Sequence, residues 1–264
     1  MAIYKNEKSC RASGSSNLQT IIEFGVTPLA DRLLTEKQLT EPELKAPLTL
    51  VFCPDSALAQ IRETVDPEIL FYAEYPYFSS VSPSLLRHFR ESALYILETR
   101  DLDEDSLVIE AASNDGYMLK NFAEREIPVL GIDPAQAPAQ AAQEAGIPTI
   151  IDFFGRELAK QLVAEGKKAD IFLANNVLAH VPDLNGFVAG IKTILKENGM
   201  AVIEVPYVVD LVDHVELEKH FEPLIKILKK GIEQKVLKDV PFDLLVAFMF
   251  YPIMTMSNPK MCKT

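Results

Sequence analysis

The sequence predicts an α/β fold in which crossover helices cover a parallel β-sheet, and three observations support this. From Ser106 onwards, short runs rich in valine and isoleucine alternate with amphipathic segments. Such alternation is typical of parallel strands, because each connection has to travel back along the sheet. A turn containing Gly116 follows the first strand, and an acidic residue, Asp133, ends the second. Both features are typical of sheets that bind nucleotides.

The elements of this sheet can be assigned in chain order from the periodicity of apolar residues. The predicted strands are 107–110, 129–132, 149–151, 169–174 and 201–205. The predicted helices between them are 117–125, 138–145, 156–164 and 184–196. Five parallel strands joined by helices predict a Rossmann-like, doubly wound sheet.

The segments on either side of the sheet have a different character. Residues 1–81 contain many turn-forming residues, which predict a small, loop-rich N-terminal domain. Apolar residues recur at steps of three and four along 82–104, and this spacing predicts a linking helix. We assign 105–212 to the ligand-binding sheet domain and 213–264 to a helical tail.

Composition narrows the function classes. The chain has 264 residues, 48% of them hydrophobic, and a formal net charge of -12, which would repel nucleic acid. Three scattered cysteines and the lack of a secretory signal predict a cytoplasmic protein. The most apolar run, 244–256, is shorter than the ~20 residues of a membrane-spanning helix. We therefore expect neither a nucleic-acid nor a membrane partner.

The loop after the first strand has the composition of a ligand-binding turn. It contains Glu110, Ser113, Asn114 and Gly116. Asn114 and Gly116 tolerate a positive φ angle, so the chain can turn tightly and present backbone amides to an anionic group. The carboxylate of a methionine moiety would suit this place. A single glycine leaves little room for a pyrophosphate, so S-adenosylmethionine is favoured over NAD or FAD.

The next two loops carry further candidate cofactor ligands. Asp133, followed by Pro134, can accept hydrogen bonds from both hydroxyls of a ribose. In the third loop, Asp152 could accept from the adenine amino group, and Phe153 could form an aromatic wall. An alternative stays open here, since Phe153 and Phe154 could equally belong to the core.

The fourth strand ends in two amides, Asn175 and Asn176, and His180 follows shortly before a proline. A functional interpretation gives the asparagines to the cofactor and the histidine to proton transfer. The structural alternative is that the asparagines satisfy backbone groups of the loop and that His180 caps the next segment. Spacing alone does not separate the two interpretations.

Several segments together resemble a known family. They are 110–117 (EAASNDGY), 131–135 (GIDPA), 146–149 (GIPT), 175–183 (NNVLAHVPD) and 204–207 (EVPY), with 25–31 and 75–80 upstream. Across 8–207 the chain resembles the S-adenosylmethionine-dependent sugar C-methyltransferases of deoxysugar biosynthesis. The resemblance implies a zinc-binding N-terminal domain, a class I methyltransferase domain, and a C-terminal domain that holds a nucleotide-linked keto-sugar.

The resemblance also implies a reaction. In that family a base removes a proton next to the ketone, and the enolate attacks the methyl group of the cofactor. A histidine matching His180, and a tyrosine matching Tyr77 or Tyr75, belong to the catalytic set. Histidine suits proton transfer near neutral pH, and a tyrosine hydroxyl could stabilise the enolate oxygen. The alternative for the tyrosines is an aromatic cluster with Phe71, Tyr72 and Phe78.

The zinc site of that family uses two Cys-x-x-Cys pairs, and here each pair has lost one cysteine. The two segments are Cys10-Arg-Ala-Ser13 and Cys53-Pro-Asp-Ser56. Serine does not ionise near neutral pH and is a poor zinc ligand. We expect Cys10 and Cys53 to be the remnant of a metal site that holds no zinc.

The sequence departs from the family after Tyr207. A Tyr-His-Glu-His motif and a long sugar-binding domain are expected there, but 221–263 instead resembles the C-terminal helices of tetracycline-repressor-type regulators. Its dense apolar run at 242–250 predicts a homodimer through the tail. The leading hypothesis is a methyltransferase impaired by loss of the sugar domain. The alternatives are an inactive cofactor-binding or dimerisation protein and, least favoured, a small-ligand-responsive regulator.

Overall fold

The computed structural model describes residues 3–71 and 75–205. They fall into two compact units. The first unit contains the chain up to Leu70 and the segment Leu178–Leu184, and the second contains Phe71–Val177 and Asn185–Glu204. The predicted tail at 213–264, with its repressor-like helices and its dimer contact, lies outside the described residues.

The first unit is built from short antiparallel strands. They are β1 (Tyr4–Asn6), β2 (Gln19–Pro28), β3 (Lys45–Cys53), β4 (Leu58–Ile61) and β5 (Glu63–Val65). β2, β3 and β4 form a three-stranded sheet in chain order, and β1 pairs with β5. A 3-10 turn at Lys37–Thr40 and the short helix α1 (Pro67–Leu70) complete the regular structure up to Leu70. The core of this unit lies along the second half of β3, where Leu50 and Val51 are buried.

The second unit contains a five-stranded parallel sheet, as the sequence predicts. Its strands are β6 (Val108–Ala111), β7 (Val129–Ile132), β8 (Thr149–Ile150), β9 (Ala169–Asn175) and β10 (Leu195–Glu204). Their order across the sheet is β10-β9-β6-β7-β8, and every neighbouring pair is parallel. The strand order reverses between β6 and β9, and ligands of open parallel sheets bind at such a switch point, beyond the carboxyl ends of the strands.

Helices of the second unit follow the predicted alternation. They are α2 (Pro83–Thr99), α3 (Lys120–Ala123), α4 (Gln136–Glu144), α5 (Arg156–Ala164) and α6 (Leu184–Ile194). α2 begins with the Ser82 hydroxyl accepting a hydrogen bond from the Leu85 amide, and Pro83 occupies the first turn. The buried face of α2 joins the core that Val108 and Phe122 help to form.

Most elements match the prediction within two residues at each end, and α3 and β10 differ most from it. Only Lys120–Ala123 of the predicted helix 117–125 is α-helical. Backbone hydrogen bonds that span three residues are mixed with bonds that span four along this stretch, and the side-chain amide of Asn121 donates to the Met118 carbonyl. β10 begins at Leu195, directly after α6, rather than at 201, and its pairing with β9 shifts register before Met200. A bulge therefore accommodates the polar stretch that reads as a turn in the sequence.

Within the described ranges, 3–71 and 75–205, no helix has the length and apolar character that crossing a membrane requires.

Candidate functional site

Two strands on either side of the switch point are linked by a side-chain hydrogen bond. Glu110 lies near the end of β6 and is fully buried, and Asn175 is the last residue of β9. The Asn175 Nδ2 donates to Glu110 Oε1 over 3.0 Å. The structure thus brings together two residues that the sequence assigns to the cofactor, at the edge of the sheet where a ligand is expected.

The site is strongly acidic. Burial raises the pKa of Glu110 well above its ordinary value, although hydrogen bonds from Asn175 and Tyr117 oppose the shift. Nearby negative charges on Asp133 and Asp115 raise this pKa further. Three carboxyl groups therefore lie at one edge of the sheet, and a cationic ligand would stabilise the charged forms of Glu110 and Asp133.

The turn after β6 has the backbone geometry that the sequence predicts. Asn114 and Gly116 both have positive φ angles, of 49° and 77°. A Cβ atom on Gly116 would lie 3.0 Å from Cγ1 of Ile147, so glycine is required both by conformation and by the close approach of that side chain. The tight turn leads from the strand into the short helix α3.

Asp133 joins the first two loops of the site. Its Oδ2 accepts a hydrogen bond from the Asn114 amide at 2.9 Å, and its Oδ1 accepts from the Ala135 amide at 2.8 Å. The half-buried Pro134 stands between Asp133 and Ala135, at the start of the segment leading into α4. Because a carboxylate offers about four acceptor positions, Asp133 keeps capacity for further donors such as ribose hydroxyls. That role stays a prediction.

The protonation of Asp133 is unusual for an aspartate. Burial raises its pKa to about 6, against the opposing effect of the two backbone hydrogen bonds, and the charge of Asp115 adds to the rise. The ordinary value for an aspartate is near 3.9. Asp133 therefore changes charge in a pH range in which ordinary aspartates stay ionised.

Ser113 has a structural place in the fold. Its side chain is fully buried, and a Cβ atom on Gly131 would lie only 2.5 Å from its Oγ. This close approach places the Ser113 hydroxyl against β7, and glycine at 131 makes room for it. The expected contact of Ser113 with the cofactor stays a prediction.

The segment that carries the two candidate tyrosines is tied to the turn after β6. The Asn114 side chain accepts from the Ser79 amide at 2.8 Å and donates to the Tyr77 carbonyl at 3.0 Å. Asp115 Oδ2 accepts from the Ser80 amide at 3.1 Å. Sequence reasoning did not assign a role to Asp115, although it stands inside the recognised EAASNDGY segment. The same residues thus shape the turn and hold the tyrosine segment.

The two adjacent phenylalanines of the third loop, Phe153 and Phe154, have different surroundings. Phe153 is 40% exposed, and its ring lies 6.3 Å from that of Phe71, which in turn contacts Tyr75 edge-on at 5.5 Å. Phe154 instead packs into the core, 4.6 Å from Phe172 and 5.2 Å from Phe187. Phe153 is therefore available to a ligand, whereas Phe154 is half-buried and packs against core residues. Tyr75 does join an aromatic cluster with Phe71.

The Asp152 side chain is exposed and accepts a hydrogen bond from the backbone amide of Phe153 at 2.7 Å. Its expected contact with the adenine amino group stays a prediction. At the end of β9, Asn176 Nδ2 donates to Glu204 Oε1 at 3.0 Å, and the Asn176 amide donates to the Glu204 carbonyl at 2.7 Å. Glu204 also pairs with His88 of α2. Asn176 is therefore held by Glu204 at the strand end, and its contact with the cofactor stays a prediction.

His180 belongs to the first unit, whereas the carboxylates described above belong to the second. It ends the short 3-10 helix Leu178–His180. Burial lowers the pKa of His180 below its ordinary value, although the charge of Asp31 opposes this. The imidazole is consequently neutral near pH 7, which is the form that can accept a proton.

Comparison with known proteins identifies the fold. Residues 78–230, more than half of the chain, match the family model described as "Methyltransferase domain". The chain belongs to this methyltransferase family. Its sheet unit has the class I, Rossmann-like fold of S-adenosylmethionine-dependent methyltransferases, which confirms the predicted fold class and the predicted cofactor. Residues 10–71 match a second model, described as "Putative zinc binding domain".

The methyltransferase also has a curated relative. It is 30% identical over 212 residues to the C-methyltransferase NovU of Streptomyces niveus, a match that covers 80% of this chain and 50% of the relative. The chain thus spans about half the length of that relative.

The solved structures to which the chain has some similarity include an S-adenosylmethionine-dependent methyltransferase from Clostridium acetobutylicum. It is 12% identical, with a TM-score of 0.40, over 48% of this chain and 53% of that one. A second is magnesium protoporphyrin IX methyltransferase from Synechocystis, which is 16% identical, with a TM-score of 0.35, over 42% and 54% of the two chains.

Proposed function

We propose that this methyltransferase transfers a methyl group to a carbon next to the ketone of a nucleotide-linked keto-deoxysugar. The observation that carries the cofactor half of the proposal is the acidic group at the switch point, formed by the buried Glu110 and Asp133 and the half-buried Asp115. The sugar half is supported by the resemblance of 8–207 to sugar C-methyltransferases and by the similarity to a C-methyltransferase.

The acidic group suits a cationic cofactor. S-adenosylmethionine carries a sulfonium and an ammonium group against one carboxylate, and bound in this site it supplies an electrophilic methyl group. Asp133 would accept hydrogen bonds from its ribose, and Glu110 would face its ammonium group. Phe153, exposed beside the third loop, would stack on the adenine. Since S-adenosylhomocysteine lacks the sulfonium charge, the carboxylates would hold the product less strongly than the cofactor.

Proton removal from the sugar requires a base that is unprotonated at working pH. Burial keeps His180 neutral, so it can take the proton from the carbon next to the ketone. A hydroxyl from Tyr77 or Tyr75 would donate a hydrogen bond to the developing enolate oxygen. The bond from Asn114 to the Tyr77 carbonyl would hold that segment in place. The methyl group that the cofactor would supply would then bond to the enolate carbon, and the electron pair of the broken methyl–sulfur bond would be left on sulfur.

The test is turnover with a panel of nucleotide-linked 4-keto-sugars and methyl-labelled cofactor. We expect a labelled methyl group on a sugar carbon, detected by mass spectrometry. We expect His180→Gln to abolish labelling while leaving affinity for S-adenosylhomocysteine within about threefold, since the proposed cofactor contacts do not include His180. The matched control is His88→Gln, a histidine that has no proposed contact with substrate. Cofactor binding without any labelled sugar would instead support an inactive cofactor-binding protein.

A further inference from the structure

The N-terminal unit matches a zinc-binding family, but the residues present do not fit a zinc ion. Its two Cys-x-x-Ser segments, 10–13 and 53–56, are here called knuckles, after the short turns that each supply two thiolates to a zinc ion. Each knuckle retains one thiol, Cys10 or Cys53, and carries a serine, Ser13 or Ser56, where a second thiolate would be needed. Neutral hydroxyls are poor zinc ligands. Across 3–71 and 75–205, no group of three or more His, Cys, Asp or Glu side chains is arranged to hold a metal ion.

The four side chains nevertheless still converge. Cys10 Sγ lies 3.1 Å from Ser56 Oγ, and Ser13 Oγ lies 3.8 Å from Cys53 Sγ, so each thiol is paired with the hydroxyl of the opposite knuckle. The Ser13 amide also donates to Cys10 Sγ at 3.5 Å. Neither Cys10 nor Cys53 forms a disulfide, and the two residues are only 2% and 0% exposed. The two knuckles are therefore joined by hydrogen bonds between neutral groups, without any charged ligand set.

Further hydrogen bonds join the same two stretches of chain. Asp55 accepts from the Ser15 hydroxyl and from Asn17 Nδ2, the latter at 3.0 Å. The Arg11 amide donates to Gln60 Oε1 at 2.8 Å, and the Arg11 guanidinium donates to Thr64 Oγ1 at 2.6 Å. These bonds cross-link the segments that a metal ion would otherwise hold together.

We propose that this cluster of Cys10, Ser13, Cys53 and Ser56 is a metal-free replacement for a zinc site, in which two crossed thiol–hydroxyl pairs take over the role of the metal–thiolate bonds. Ser13 and Ser56 then stand at the two positions where a tetrahedral zinc site would need thiolate ligands. The hydrogen bonds also act on the thiol itself. Burial opposes ionisation of Cys10, but bonds from Ser13, Ser56 and the Ala12 amide together lower its pKa.

The experiment uses the full chain, expressed with added zinc and purified under reducing conditions, with metal content measured by mass spectrometry. We expect the wild type to contain far less than one zinc per chain and its melting temperature to be insensitive to a chelator. The double variant Ser13→Cys/Ser56→Cys should bind about one zinc per chain and lose several degrees of melting temperature when the metal is chelated. The control variant, Ser84→Cys/Ser92→Cys, adds two thiols on α2 and should bind none.

A second variant keeps the proposal testable if the cysteine variant fails to fold. Ser13→Ala/Ser56→Ala removes both crossed pairs without adding thiols, and it should lower the melting temperature by several degrees. Stoichiometric zinc in the wild type would overturn the proposal, as would a cysteine variant that folds but binds no more zinc than its control. An unchanged melting temperature in the alanine variant would also overturn it.

Discussion

Lowering the pH from 7 to 5 should weaken the binding of S-adenosylhomocysteine about tenfold, because Asp133 loses its charge in this range. With a pKa of about 6, roughly nine-tenths of Asp133 is ionised at pH 7 and about one-tenth at pH 5. The protonated carboxyl is a weaker acceptor for ribose hydroxyls and no longer attracts a cation. Isothermal titration at pH 7, 6 and 5 measures the effect directly. The ammonium and carboxylate groups of the ligand keep their charges over this interval.

The free energy of unfolding should increase as the pH falls, whereas the affinity for S-adenosylhomocysteine decreases. Since the folded-state pKa of Asp133 is raised above its unfolded value, proton uptake favours the folded state as the pH falls from about 6 towards 3.8. A shift of about two units corresponds to roughly 3 kcal/mol, fully present at low pH and lost as pH rises through about 6. Urea denaturation of the wild type and of Asp133→Asn isolates this contribution.

Asp133→Asn tests whether Asp133 causes the pH dependence of S-adenosylhomocysteine binding, because an asparagine side chain does not titrate. Its affinity for S-adenosylhomocysteine should be low and nearly independent of pH between 7 and 5. Glu110→Gln controls for the other buried carboxyl group and should retain the dependence centred near pH 6. An affinity that stays constant in the wild type, or that falls equally in Asp133→Asn, would refute the reasoning.

Three further predictions follow from the geometry of the site. Phe153→Ala should weaken S-adenosylhomocysteine binding with little loss of stability. Phe154→Ala should instead cost about 2 kcal/mol in urea denaturation, because the half-buried ring packs against Phe172 and Phe187 of the core. Equal losses of stability in the two variants would contradict this. Gly116→Ala should cost more than Gly166→Ala, since both have positive φ angles but a Cβ atom meets Ile147 only at 116. The idea fails if the two variants unfold at the same urea concentration. Asn114→Gly keeps the positive φ angle but removes two hydrogen bonds to the tyrosine segment. At about 1 kcal/mol each, their loss should lower kcat with a turned-over keto-sugar by up to about thirtyfold, while cofactor affinity changes little. A parallel loss of kcat and of cofactor affinity would show a general structural role instead.

The sheet could be predicted from the sequence because its signals are local. Alternating apolar runs identify the strands, and positive φ angles at Asn114 and Gly116 follow from the residue types that tolerate them. The position of Asp133 at the end of the second strand follows from the same pattern. The predicted helix 117–125 is longer than the observed α3, because the apolar spacing does not reveal that the Asn121 side chain bonds to nearby carbonyls.

The remaining features of the site depend on contacts between distant parts of the chain. Nothing local distinguishes Phe153 from Phe154, and only the sheet shows which ring faces the core. The hydrogen bonds of Asn114 to the tyrosine segment join residues 35 and 37 positions apart. The crossed pairs between Cys10 and Ser56 and between Ser13 and Cys53 are equally long-range, since they depend on how the two knuckles meet. Periodicity carries no information about such pairings.

The most direct test of the central claim is titration of the full chain with S-adenosylhomocysteine at pH 7. The acidic site at the switch point predicts one molecule bound per chain, a raised melting temperature, and a clear loss of affinity in Asp133→Asn. Absence of binding heat together with an unchanged melting temperature would contradict the assignment of this sheet edge to S-adenosylmethionine.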